Sequence, residues 1–132
     1  DVAIADLDAK FFVALRDNFM DALATQTPNQ LWSYRFAWKQ EPAPWNDVYG
    51  AAHAFDLAFL FGNFGPSLYS NVIVSDANKA GRLALSDAMM STLAAFARSG
   101  NPNTGALGVN WPNWPNVLLF DATLAAKQIS VQ

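Results

Sequence analysis

Apolar residues between positions 6 and 24 fall in a helical rhythm. Leu7, Phe11, Leu15, Phe19 and Leu23 recur every four residues, with Phe12 and Met20 beside them. That period predicts an amphipathic helix whose stripe faces a core. Asp6 and Asp8 at its start suit exposed backbone N–H groups and the positive end of the helix dipole. Thr27-Pro28-Asn29 ends it. The rhythm then changes to two: Trp32, Tyr34, Phe36 and Trp38 alternate with smaller or polar neighbours through residues 31–38, which predicts a strand. Residues 39–46 carry Pro42 and Pro44, which block both helix and central strand, so a loop is expected. Beyond Gly62 the chain meanders to Ser75, the expected N-cap of a long helix over about residues 76–98. Leu85, Met89 and Leu93 form one line along it, with Ala88, Thr92 and Phe96 adjacent. Gly81 inside this helix costs ~1 kcal/mol relative to alanine, which makes the first two turns its weaker part. Ser99-Gly100-Asn101-Pro102 stops it, glycine supplying a left-handed end and proline forbidding continuation. A loop with Trp111-Pro112 and Trp114-Pro115 leads to two short strands, 117–121 and 128–131, expected to pair as a hairpin or join a sheet edge.

Composition changes this picture in one respect. The 132 residues are 52% apolar, enough for a single sizeable core, yet only 14% are charged against about 25% in a typical soluble domain. A polar shell this thin favours a segment whose remaining surface is covered by more of the same protein. A start at Asp1-Val2-Ala3-Ile4, with no methionine and no signal pattern, carries the same expectation of chain upstream. The net charge of −3, with eight scattered Lys and Arg, gives no reason to expect nucleic acid or an anionic membrane surface. No apolar run approaches the roughly 18 residues of a membrane span. Zero cysteines exclude disulfides and thiolate chemistry, and a single histidine makes a zinc site a poor fit. The compartment stays open between cytoplasmic and exported.

Candidate chemistry sits in Gly50-Ala51-Ala52-His53-Ala54-Phe55-Asp56-Leu57, which holds the lone histidine and, three residues on, a carboxylate. Imidazole is the usual general base near neutral pH. A packed or exposed histidine of no chemical role is the commoner case for an isolated one, so pattern alone leaves both readings open. Of the eight serines none stands in a Gly-x-Ser-x-Gly elbow, and no Gly-rich oxyanion loop is present.

Four strings, in order, resemble the C-terminal part of the type-B carboxylesterase family, the group of the cholinesterases and bacterial para-nitrobenzyl esterases. They are Tyr34-Arg35-Phe36; Gly50-Ala51-Ala52-His53 with Asp56 and Phe61-Gly62; the helix end from Phe96 through Ser99-Gly100-Asn101-Pro102-Asn103; and Trp111-Pro112. The resemblance runs over essentially the whole chain, and the string around His53 is most similar to the bacterial esterases. It implies an α/β fold: the C-terminal part of an α/β-hydrolase, with two long helices, one or two strands of the main sheet and a short C-terminal strand pair. Residues 1–132 would form one segment of that domain. It further implies ester hydrolysis through a Ser–His–acid triad in which His53 is the general base. Asp56, where the family usually has glutamate, would be a carboxylate holding polar contacts near the base rather than the triad acid; an ordinary loop carboxylate is the other account. Trp45, Tyr49 and Phe55 would line the substrate pocket, with plain packing the competing account for all three and the favoured one for Tyr49. Nothing in the resemblance supports Glu41 or Asp47 as triad members. The implied partners are a small-molecule ester and the remainder of the enzyme upstream of Asp1, with no cofactor. A non-catalytic adhesion module of the same family is the alternative, against which the retained histidine weighs.

Overall fold

The computed structural model describes residues 8–67 and 70–132. A π-helical turn at Asp8–Val13 runs into helix α1, Ala14–Ala24. Asp6, Leu7 and the side chain of Asp8, expected at the helix start, lie outside what is described. The expected helix forms, but its stripe does not face a core. No residue of α1 is buried, and Phe12 and Leu15 are 70% and 66% exposed. It is tethered at a polar point instead: the Trp114 indole N–H donates to Asp21 at 2.7 Å and the Arg16 guanidinium lies 5.7 Å from the Trp114 ring centre. Periodicity reports that a helix has an apolar face; it does not report what covers it.

Strand β1, Ser33–Phe36, is the middle of the alternating aromatic run. It pairs in parallel with β2, Val117–Ala122, from Ser33 opposite Val117 to Phe36 opposite Phe120. Strand β3, Lys127–Val131, folds back antiparallel on β2 to give the order β1-β2-β3. The hairpin expected from the last two strands is therefore formed, and its turn is closed by the Thr123 N–H to the Ala126 carbonyl at 2.8 Å. A parallel pair needs a long crossover. Here it contains three one- or two-turn helices, α2 (Trp45–Val48), α3 (Phe55–Leu60) and α4 (Ser70–Ile73), and the long helix α5 (Lys79–Ser99).

Helix α5 starts three residues later than expected, with Asn78 as its N-cap residue. Ser75 still serves the start: its hydroxyl accepts the Asn78 N–H and the Asn78 side-chain oxygen accepts the Ser75 N–H, both at 3.2 Å. Fully buried, Asn78 also donates to the carbonyls of Gln40 at 2.9 Å and Ile73 at 2.8 Å, tying the proline loop to the helix. Gly81 is not a weak point. Its N–H bonds the Leu124 carbonyl at 2.9 Å, and a Cβ there would lie 1.9 Å from the Thr123 carbonyl oxygen. Only glycine lets the β2–β3 turn sit against the helix. At the other end Gly100 takes the left-handed conformation at φ 72°, as the sequence predicts.

Trp38, Phe55, Phe59, Leu85, Met89, Leu118 and Phe120 form the centre of the core, between the sheet and helices α3 and α5. The Asn103 and Trp111 strings have a structural reason. Asn103 exchanges hydrogen bonds with the Trp111 backbone at 2.7 and 2.9 Å, while Thr92 holds the Pro102 carbonyl at 2.7 Å. Together they lock the end of α5 against the approach to β2.

Candidate functional site

The histidine is carried by a turn that the chain must make between an exposed helix and a buried one. Beyond the proline loop, the Trp45 N–H bonds the Pro42 carbonyl at 2.9 Å and the Tyr49 N–H bonds the Trp45 carbonyl at 2.8 Å, which folds α2. Gly50, at φ 53°, reverses the chain. Ala54 then adopts φ 68°, a left-handed conformation uncommon outside glycine, and Phe55 enters the core. His53 stands at the outer corner of this turn with an exposed side chain. Residues on both sides are small, so the imidazole is left open to whatever is placed beside it.

Asp56, in the first turn of α3, accepts a hydrogen bond from the Tyr34 hydroxyl at 2.8 Å. Among the described residues no hydrogen bond joins Asp56 to His53. The two share a turn, and the carboxylate is turned towards the sheet. The Tyr34 ring meets Phe120 edge-on with centroids 5.5 Å apart and Trp111 at 6.4 Å. Burial, then the hydrogen bond and the charge of Asp56, push the phenol above its ordinary pKa, so it remains a donor. Tyr34 belonged to the alternating strand in the sequence, but no local pattern reports that its hydroxyl reaches a carboxylate 22 residues away.

Trp45 and Tyr49 stack, with centroids 5.6 Å apart and planes 27° from parallel, and Tyr49 in turn meets Phe55 at 6.0 Å. The three aromatic positions expected around the pocket thus form one ladder running from the exposed face of α2 into the core beside His53. On the other side of α3, a cavity of about 280 Å³ is lined by Ala54, Leu57, Phe61, Phe64 and Ile73 among others.

Glu41 was not legible as a special residue. It is only 5% exposed, and neither carboxylate oxygen has a hydrogen-bond partner among the described residues. Burial pushes its pKa up to about 7. Asp47 lies on exposed α2. Among the described residues no group of three His, Cys, Asp or Glu side chains is placed to hold a metal ion, and no helix is long and apolar enough to cross a membrane.

The chain is similar to known esterases. Para-nitrobenzyl esterase of Bacillus subtilis is 37% identical over 83 residues, covering 62% of this chain and 15% of its own. A crystal structure of a carboxylesterase from Geobacillus stearothermophilus superposes with a TM-score of 0.69 at 25% identity, over 96% of this chain and 25% of that one. An esterase from the anaerobe Clostridium hathewayi shares the fold, with a TM-score of 0.68 at 20% identity, over 93% of this chain and 22% of its own. The chain therefore spans a quarter or less of the length of these relatives, and its elements are the C-terminal part of an α/β-hydrolase. The sequence profile of the carboxylesterase family matches residues 6–128, and the chain belongs to that family.

Proposed function

We propose that this segment supplies the general base of a serine carboxylesterase whose nucleophile and triad acid lie in chain upstream of Asp1. The observation that carries this reading is the placement of His53. It is exposed on a turn of small residues, flanked by the aromatic ladder, and its turn is bonded to the sheet through Asp56 and Tyr34. In the reaction, the imidazole takes the proton of a serine hydroxyl as that oxygen attacks the ester carbonyl. It returns the proton to the departing alcohol, then draws one from water for the second half-reaction. Trp45, Tyr49 and Phe55 offer an apolar wall for the acyl or alcohol group of the ester. Asp56 bears on the base through the turn rather than as the triad acid.

Two measurements test the reading. The 132-residue chain alone is expected not to hydrolyse p-nitrophenyl esters above background, because a base without nucleophile and oxyanion donors gives little acceleration. In the complete polypeptide, His53→Ala is expected to lower kcat by about 10³- to 10⁶-fold while the protein stays folded. A folded His53→Ala protein with more than a tenth of its activity refutes the assignment of the base, whereas turnover by the chain alone refutes the upstream nucleophile.

A further inference from the structure

We infer that Tyr34 is a positioning residue for the histidine turn: its hydroxyl, held at 2.8 Å from Asp56, fixes the carboxylate and with it the backbone that carries His53. The inference rests on the general-base reading of His53 and extends it to a residue on a different element.

The His53 side chain has no hydrogen-bond partner of its own among the described residues, so its position is whatever the backbone of residues 52–56 allows. Besides the Ala52 N–H to the Gly50 carbonyl at 2.8 Å, that backbone is held by two bonds at 3.2 Å, Phe55 N–H to the Ala52 carbonyl and Leu57 N–H to the Ala54 carbonyl. Both are local, and Ala54 between them is in an unfavourable left-handed conformation. Ala52 packs on the rim of the core, and two larger side chains tie the turn to the rest of the molecule. Phe55 does so by burial in the core and by its ring contact with Tyr49. Asp56 does so by a directional hydrogen bond to the sheet.

The donor is itself immobilised. The Tyr34 ring is wedged edge-on against Phe120 and Trp111, whose rings meet each other at 5.8 Å and 88°. The Trp111 indole N–H is bonded at 3.1 Å to the carbonyl of Ser33, the residue before Tyr34. A phenol on a paired strand, with its proton retained, is a rigid donor. The hydrogen bond converts the stiffness of the sheet into a fixed location for the turn. General-base catalysis depends on holding donor and acceptor within hydrogen-bond reach, and small displacements are costly.

The test uses Tyr34→Phe, Asp56→Asn, their double variant and Thr92→Val in the complete polypeptide, with kcat, KM and melting temperature for each. Tyr34→Phe keeps the ring packing and removes only the donor. It is expected to lower kcat about 10-fold, with KM within about twofold because no substrate contact is lost. Asp56→Asn is expected to lower kcat by about 10- to 100-fold, and the double variant to be no worse than Asp56→Asn alone. Thr92→Val is the structural control: it loses a buried hydrogen bond, to the Pro102 carbonyl at the far end of α5, and is expected to melt earlier with kcat near wild type at 25 °C. Wild-type kcat in Tyr34→Phe overturns the inference, as does a loss that adds fully to that of Asp56→Asn, or one that Thr92→Val reproduces. Should His53→Ala keep its activity, the general-base reading fails and Tyr34 loses its role with it. A dead His53→Ala beside a fully active Tyr34→Phe removes the positioning role alone.

Discussion

Glu41 is the residue at which burial and charge conflict most openly. Its carboxyl is buried with no donor to either oxygen, and its pKa rises from 4.5 to about 7. The folded chain therefore holds a proton that the unfolded chain has released, and the sign follows by linkage. Well below pH 4.5 the group is protonated in both states and contributes no pH dependence. As pH climbs from there through 7, the folded state loses stability, by about 3 kcal/mol in total at roughly 1.4 kcal/mol per pKa unit. Asp121 adds to the same trend, because burial raises its pKa despite the opposing Ala122 N–H and Lys39 charge. Glu41→Gln is expected to flatten the fall in denaturation midpoint between pH 5 and 8, leaving the smaller slope of Asp121. Parallel profiles for the two proteins would falsify this account of Glu41. At this scale legibility divided by range. His53 and Asp56 were visible because three residues of spacing are local, whereas the Tyr34 hydrogen bond and the burial of Glu41 arise only when distant segments meet.

At the scale of elements, what the sequence announced was what short-range chemistry decides. The end of α5 at Gly100, the alternating strand β1 and the closing hairpin all came from turn residues and period. What it misjudged depended on neighbours. Helix propensity marks Gly81 as a fault, and by that criterion alanine should stabilise by ~1 kcal/mol. The structure reverses the sign, since the Cβ would overlap the Thr123 carbonyl of the β2–β3 turn and break the close approach that lets Gly81 bond Leu124. The obstacle is backbone, which yields less readily than a flexible side chain. Gly81→Ala is expected to destabilise the chain by about 2 to 4 kcal/mol, an overpacking cost with a lost buried hydrogen bond. A urea titration reads this as a lower midpoint; an unchanged or raised midpoint means that the hairpin turn is not anchored on α5. The short helices α2 and α3 went unforeseen because four to six residues carry too little periodicity to separate from a loop.

The whole molecule has more apolar surface than its charge can keep apart. Phe11, Phe12, Leu15 and Phe19 stand exposed along one end, and Phe61 is 70% exposed beside the histidine turn. Strand β1 pairs on one side with β2 and has no second partner among the described residues, so its other edge offers free N–H and carbonyl groups. An open edge and a contiguous apolar face each favour association. With only 14% charged residues and a net charge of −3, electrostatic repulsion between copies is weak. The 132-residue chain, studied alone, is therefore expected to self-associate at tens of micromolar and to bind a hydrophobic dye strongly. The two sources can be separated. Phe12→Glu with Leu15→Glu places charge on the exposed face of the π-helical turn and α1 without touching the core, and should reduce dye binding and shift the sedimentation profile towards monomer. Association that persists in this variant is then assigned to the open edge of β1. A wild-type chain that sediments as a compact monomer with no dye uptake would show that this surface is less adhesive than its composition and exposure require.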